Sequence, residues 1–264
     1  MTAFDVHHYD QLGSTNDEAR RLADAGAPHG TTVHADQQTA GRGRLSRRWF
    51  SPPGNLYLSI VLRLDLPPGR QVELGFIAAL AVADAVDALL PRHVRATLKW
   101  PNDVLVREGK IAGILVEQAG EALILGIGLN VLHAPSGVSY QVSTIVGCGG
   151  LATVDGTREK LLQALASWLA VWQQHGFAPI RTAWLARAHP PGSALSVRLA
   201  DSFVTGQFAG IDSDGALLLD TQQGRGRIVA GDVKLELAAT AALNMREVRA
   251  AQAPGAGDAV TATE

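Results

Sequence analysis

Gln38-Thr39-Ala40-Gly41-Arg42-Gly43-Arg44 sets two arginines, two glycines and an amide side chain between two strand-like runs, Thr31 to Asp36 before it and Leu56 to Leu64 after it. Such a loop is built to hold an anion. Glycine lets the backbone turn tightly or approach a ligand with no Cβ in the way, and arginine presents a planar fork of donors matched to carboxylate or phosphate oxygens. It is not a Walker A loop, which ends in Gly-Lys-Ser/Thr. Here Arg44 is followed by Leu45, Ser46, Arg47, Arg48 and Trp49. A GRGR tetrapeptide alone also suits a solvated turn, so the surroundings decide between the two readings.

The chain has 264 residues, 47% of them hydrophobic. That is enough for one core of about 170 to 200 residues and a small appended domain. A net charge of -2 and a sequence pI near 6.4 provide no global attraction to nucleic acid or an anionic membrane, so basic chemistry must be local. Arg42, Arg44, Arg47 and Arg48 are that local patch. An RNA-binding surface would interleave aromatics with a basic face, and only Trp49 and Phe50 flank this one. A single cysteine, Cys148, excludes an intrachain disulfide framework and reads as a buried small residue in a reducing compartment. The N-terminus has no signal-peptide pattern and no apolar run reaches the ~18 residues of a membrane span, so a soluble, cytoplasmic protein is expected.

Outward from the loop, residues 4 to 12 read as a strand. Thr15 with Glu18 forms a capping box opening a helix that Gly26 ends. Residues 71 to 90 have apolar positions at helical spacing up to Pro91. Arg95 to Trp100, Val104 to Arg107, Lys110 to Glu117 and Ala122 to Leu129 follow as strands, with hairpin turns at Glu108-Gly109 and Ala119-Gly120. Residues 133 to 150 lack periodicity and read as a mobile loop, and helices are expected over about 157 to 175 and 179 to 188. Pro190-Pro191-Gly192 is a linker; beyond it, glycine-punctuated alternation predicts a five-strand barrel. The Ala/Gly/Thr-rich stretch after it has too little apolar bulk to pack. The expected domains are a catalytic unit over 1–189, a barrel over 190–238 and a disordered tail over 239–264. The fold class is α+β, a mixed, mainly antiparallel sheet covered by helices.

Six motifs stand in order: Gly13-Ser14-Thr15-Asn16, QTAGRGR, WFSP with NLYLS, Lys99-Trp100-Pro101-Asn102-Asp103, Lys110-Ile111-Ala112-Gly113-Ile114-Leu115-Val116-Glu117, and Gly126-Ile127-Gly128-Leu129-Asn130. With Gly231-Asp232-Val233 near the far end, they make nearly the whole chain resemble the biotin protein ligases. The resemblance implies a class II synthetase-like biotin ligase fold with an SH3-like C-terminal barrel. It also implies adenylation of biotin by ATP and Mg²⁺, and transfer of biotin to a lysine of a biotin carboxyl carrier protein, by a monomer or homodimer. Some members carry an N-terminal DNA-binding domain; only about a dozen residues precede the first motif here, so the short form is expected, with no nucleic-acid or membrane partner.

By this resemblance Ser14, Thr15, Asn16, Gln38, Gly41, Arg42, Trp49, Lys110, Gly113 and Leu115 bind biotin. Arg44, Arg47, Trp49, Lys99, Asn102, Asp103, Gly128 and Asn130 bind ATP or the adenylate. Lys110, Arg42 and Arg44 are the catalytic candidates, because a carboxylate approaching a polyphosphate needs fixed cations. On the residues alone Trp49 is a stacking platform or a core tryptophan, and Asp103 a turn acid, a lysine partner or a Mg²⁺ ligand. The family pattern GRGRxGR has glycine where this chain has Ser46; if that position needs a positive φ, serine is strained there. Lipoate ligases and octanoyltransferases share the fold but lack the KWPND and GRGR pair, and a catalytically dead sensor is the alternative outside enzymes.

Overall fold

The computed structural model describes residues 3–67, 69–199 and 202–235. The expected tail, 239–264, lies outside them. In chain order the elements are β1 (Asp5–Leu12), α1 (Thr15–Asp24), β2 (Thr31–Gln38), β3 (Leu56–Leu62), α2 (Val72–Asp87), β4 (Ala96–Lys99), β5 (Asp103–Val106), β6 (Gly109–Ala119) and β7 (Ala122–Leu129). There follow α3 (Val154–His175), α4 (Phe177–Leu185), β8 (Ala194–Arg198), β9 (Phe203–Ile211), β10 (Leu217–Thr221), β11 (Gly224–Ile228) and β12 (Asp232–Leu235).

The first seven strands form one sheet in the order β1-β2-β3-β7-β6-β5-β4. Only β1 and β2, joined through α1, pair in parallel. Side chains alternate across its central strands, as the pleat requires. Leu56, Leu58, Ile60 and Leu62 of β3, with Leu123, Leu125, Ile127 and Leu129 of β7, join the core under α2. Val61 and Ile124 face the other way and meet Ala19 and Ala23 of α1. Because α1 is short, it covers the β2–β3–β7 end of that second face and reaches β6 at Glu117 and Gln118. The rest, where β7 and β6 carry Gly126, Gly128 and Gly113, is left for a cleft.

The C-terminal sheet has the order β11-β10-β9-β8-β12. The five expected strands are present, with β11 and β12 as its two edges; among the described residues they do not close into a barrel. The sheet shares the core of the rest of the molecule through Leu195, Val197, Phe208, Ile211, Leu217 and Leu219. Trp100 Nε1 donates to Gly215 O (3.0 Å), fastening it beside the β4–β5 corner. It thereby forms one wall of the cleft.

Several local expectations shift. Ser14, not Thr15, precedes the first turn of α1, and no side chain caps it. The Thr15 hydroxyl donates instead to Gln38 Oε1 (3.1 Å), and Glu18 binds Arg21 and Tyr9. Thr15 stands inside the first turn, where it cannot cap, and both its N–H and its hydroxyl donate to Gln38. The β5–β6 turn is Arg107-Glu108, both at positive φ (50° and 63°), one residue before the expected pair. Gly109 serves close approach, since a Cβ there would lie 2.2 Å from Ser143 Oγ. The β6–β7 turn is Gly120-Glu121, one residue after the expected pair. Residues 141 to 143 of the expected mobile loop run beside Lys110: Lys110 N donates to Gln141 O (2.9 Å), and Ser143 N to Lys110 O (3.0 Å). Ile145 and Cys148 are buried beyond them. Their burial anchors the second half of that loop.

Candidate active site

A cleft of about 650 Å³ opens on the sheet face that α1 leaves bare, between that face and β8 and β12. Its lining brings together Ser14, Thr15, Asn16, Gln38, Arg42, Arg44, Arg47, Trp49, Lys99, Asn102, Asp103, Lys110, Gly113, Leu115 and Gly128. Of the sequence candidates, Gly41 and Asn130 do not line it. Gly41 makes room behind it: a Cβ would sit 2.6 Å from Ser51 Oγ and 2.9 Å from Gln38 Nε2. Asn130 is buried and directs its amide at the carbonyls of Lys110 (3.4 Å) and Ser143 (3.3 Å), so it steadies the strand that carries Lys110.

One end of the cleft is a polar network. Gln38 Oε1 accepts from Thr15 N (2.8 Å) and Thr15 Oγ1 (3.1 Å), while its Nε2 donates to Ser51 Oγ (2.9 Å). Ser59 Oγ lies 2.7 Å from Thr15 Oγ1 and 2.6 Å from Asn16 Oδ1. Asn16 Nδ2 donates to Glu117 Oε2 (2.7 Å), which also accepts from Arg42 Nη2 (3.0 Å). Arg42 further reaches Asp17 (2.8 Å) and Ser14 Oγ (3.2 Å). Its pKa is raised, first by Asp17 and then by Glu117, with burial opposing. Asp17, Ser51, Ser59 and Glu117 join the network although no local motif marks them as partners of it. The signal for Glu117 was present in period two, since Gly113, Leu115 and Glu117 share one face of β6.

The opposite end is cationic. Asp103 receives Lys110 Nζ (2.6 Å) on one carboxylate oxygen and Lys99 Nζ (2.8 Å) on the other. Burial opposes its ionisation, but the two ammoniums outweigh that and hold its pKa below the ordinary value. Arg44 donates to Asn102 Oδ1 (3.3 Å) and Gly231 O (3.4 Å). Burial lowers its pKa while Asp232 and Asp103 oppose, and a guanidinium remains charged regardless. Arg47 pairs with Asp232, and Lys99 Nζ donates to Val233 O (3.2 Å). Residues 231 to 233 thus bring the C-terminal sheet against the arginine loop.

Between the two ends lies a floor without side chains. A Cβ at Gly128 would fall 2.5 Å from the Trp49 indole, and one at Gly113 3.0 Å from it. Lys110 Nζ stands 5.3 Å from the centroid of the same ring, within cation–π range. Trp49 Nε1 is buried with no hydrogen-bond partner among the described residues, and the indole would have to shift to offer it to a ligand. In the loop itself Leu45 and Ser46 both have positive φ (54° and 56°), so Ser46 occupies the strained geometry the sequence departure raised.

Outside the cleft, His8, His34 and Asp36 gather at the β1–β2 edge. The imidazoles stack with centroids 5.1 Å apart, so their in-plane lone pairs do not converge, and Arg158 stands 3.2 Å from His34 Nδ1. Cys148 is a free, buried thiol. Among the described residues no helix is long and apolar enough to cross a membrane.

Comparison with known proteins agrees with this geometry. Residues 10–133 match the Biotin/lipoate A/B protein ligase family, and residues 194–235 the Biotin protein ligase C terminal domain. The biotin--[acetyl-CoA-carboxylase] ligase of Paracoccus denitrificans is 40% identical over 231 residues, covering 83% of this chain and 96% of that protein. Its counterpart in Mycobacterium tuberculosis is 37% identical over 230 residues, covering 84% and 86%. Among solved structures, the biotin protein ligase from Aquifex aeolicus in complex with biotin and ATP superposes with a TM-score of 0.77 at 28% identity, over 88% of this chain and 98% of that one. Sequence likeness of that extent, in both parts of the molecule and over the same elements that build the cleft, means that the chain belongs to the biotin protein ligase family.

Proposed function

We propose that this chain activates biotin with ATP to give biotinyl-5′-AMP and then transfers biotin to a lysine of a biotin carboxyl carrier domain. The observation that carries the reading is the polarity of the cleft. A network of neutral donors and acceptors, backed by Arg42 paired with Asp17 and Glu117, stands at one end and a cluster of cations at the other, with Lys110 between. Biotin has that polarity, an uncharged ureido ring and a carboxylate tail, and ATP brings the anions that the second end attracts.

In the first step a carboxylate oxygen of biotin attacks the α-phosphorus; the Pα–O bond to the β-phosphate breaks and pyrophosphate leaves. Ser14, Thr15, Asn16 and Gln38 would hold the ring, while Gly113 and Leu115 line the tail. Lys110 would lie between the carboxylate and the α-phosphate, where its charge stabilises what develops in the transition state. Arg44, Arg47, Lys99 and Asn102 would take the phosphates, with Trp49 and Gly128 beside the adenylate and Arg42 closing the loop over the product. In the second step the neutral lysine amine attacks the acyl carbon, the C–O bond to AMP breaks, and the amine loses its proton. Exclusion of water from the closed cleft protects the mixed anhydride between the two steps.

The residues present do not fit a resident Mg²⁺ at Asp103. Both its oxygens face lysine ammoniums, and a dication would be brought against two like charges. Magnesium is therefore assigned to the nucleotide as it arrives. The reading also takes residues 1–189 as the catalytic unit and 190–238 as an accessory wall, in a cytoplasmic protein. It is tested by incubating the chain with ATP, magnesium, biotin and an isolated carrier domain. Biotin should appear on one carrier lysine, and a carrier with that lysine changed to arginine should stay unlabelled. Labelling of neither carrier by folded protein that binds biotin would leave a sensor in place of the ligase.

A further inference from the structure

Glu117 sits just beyond the cleft, on the same face of β6 as Gly113 and Leu115, and its carboxylate has two partners that do line the cleft. Asn16 Nδ2 donates to Oε2 (2.7 Å), and Arg42 contacts Oε2 through Nη2 (3.0 Å) and Oε1 through Nε (3.4 Å). Each contact has a directional consequence. An ionised carboxylate only accepts, so the amide of Asn16 must turn its NH₂ toward Glu117 and its carbonyl oxygen toward Ser59 (2.6 Å). Asn16 is 5% exposed and has little room to turn otherwise, because a Cβ at Gly126 would lie 2.2 Å from its Oδ1. Arg42 belongs to a loop whose own backbone bonds, Gly43 N to Arg47 O (2.7 Å) and Trp49 N to Gly41 O (2.9 Å), are internal to it. Glu117, on the rigid centre of the sheet, is one of its anchors there; Asp17 on α1 is the other carboxylate anchor.

We propose that Glu117 is a positioning residue for the neutral, hydrogen-bonding end of the substrate. It fixes which way the Asn16 amide points and docks the arginine loop over that end. The ligand it serves is a cyclic urea or similar planar group carrying both donor and acceptor, which needs a donor and an acceptor of defined direction facing it. Reversal of the Asn16 amide would set its carbonyl oxygen against the Glu117 carboxylate, acceptor against acceptor. The inference rests on the biotin-ligase reading above.

The test is Glu117→Gln, which preserves size but can present either an oxygen or an NH₂ to Asn16 and loses the charge facing Arg42. Biotin affinity, measured by calorimetry without ATP, should fall about tenfold. At saturating biotin, kcat for pyrophosphate exchange should stay within about threefold of wild type, with KM for ATP unchanged. A merely structural role would move Tm and both substrates together. In an Asn16→Ala background the same substitution should have less than half its effect, since contacts that act as a unit are not additive. Biotin affinity unchanged in Glu117→Gln, or equal losses in the two backgrounds, overturns the proposal while leaving the ligase reading intact. Absence of exchange by the wild-type protein would overturn both.

Discussion

Replacing Lys110 by glutamine removes the charge at the junction of the two ends of the cleft while keeping length and polarity. In the resting site that charge is 2.6 Å from Asp103 Oδ1, and Lys99 lies 2.8 Å from the other oxygen. Asp103 therefore keeps a cation after the substitution, so its charge is not left unpaired and the loss of stability should stay well below the roughly 3 to 5 kcal/mol of an orphaned buried charge. The transition state has no such substitute. A unit charge about 4 Å from another, at an effective dielectric constant near 20, is worth about 4 kcal/mol, and a single charge-assisted hydrogen bond roughly 2 kcal/mol. Those bounds correspond to a loss of about 30- to 1,000-fold in kcat/KM for adenylation. The assay is initial-rate pyrophosphate release at varied biotin, alongside a thermal melt. Adenylation within about threefold of wild type would show that Lys110 does not stabilise the transition state and pass that role to Arg44 or Lys99.

Three further outcomes follow from particular residues. Ser46→Gly should stabilise the protein by about 0.5 to 1 kcal/mol, because glycine relieves a left-handed backbone (φ 56°) at some cost in unfolded-state entropy; a lower urea midpoint would contradict this. Gly128→Ala would push a methyl to within 2.5 Å of the Trp49 indole, displacing it, and should raise KM for ATP about tenfold or more; unchanged kinetics would show that the indole moves freely. His34 is buried with its pKa lowered from 6.5 to about 4, chiefly by burial and then by Arg158. The unfolded chain binds the proton first, so stability should decline by about 3 kcal/mol as pH falls from 6.5 to 4. His34→Gln should flatten that part of a Tm-against-pH curve, and an identical slope would assign the loss to other groups.

Much of this was legible in the sequence because the motifs sit at element ends. Lys99 to Asp103 reads as a corner, since proline cannot continue a ladder, and Gly126 and Gly128 read as space for a ligand, although Asn16 and Trp49 stand against them in the structure. What escaped depended on partners distant in sequence. Thr15 reads as a cap until Gln38, 23 residues away, takes both its N–H and its hydroxyl. Gly109 reads as a turn residue until Ser143 is placed against it. Residues 141 to 143 have no periodicity because they pair through a few backbone bonds to Lys110 rather than through a packed face. Glu117 is 101 residues from Asn16, and no local pattern announces that the two share a hydrogen bond.

The most direct measurement of the central claim is exchange of labelled pyrophosphate into ATP by the purified chain. Adenylation is complete before the acceptor lysine arrives, so exchange should require biotin and magnesium, proceed with no carrier protein, and not occur when lipoate replaces biotin. Folded, biotin-binding protein that gives no exchange, or exchange that proceeds equally well with lipoate, would contradict it.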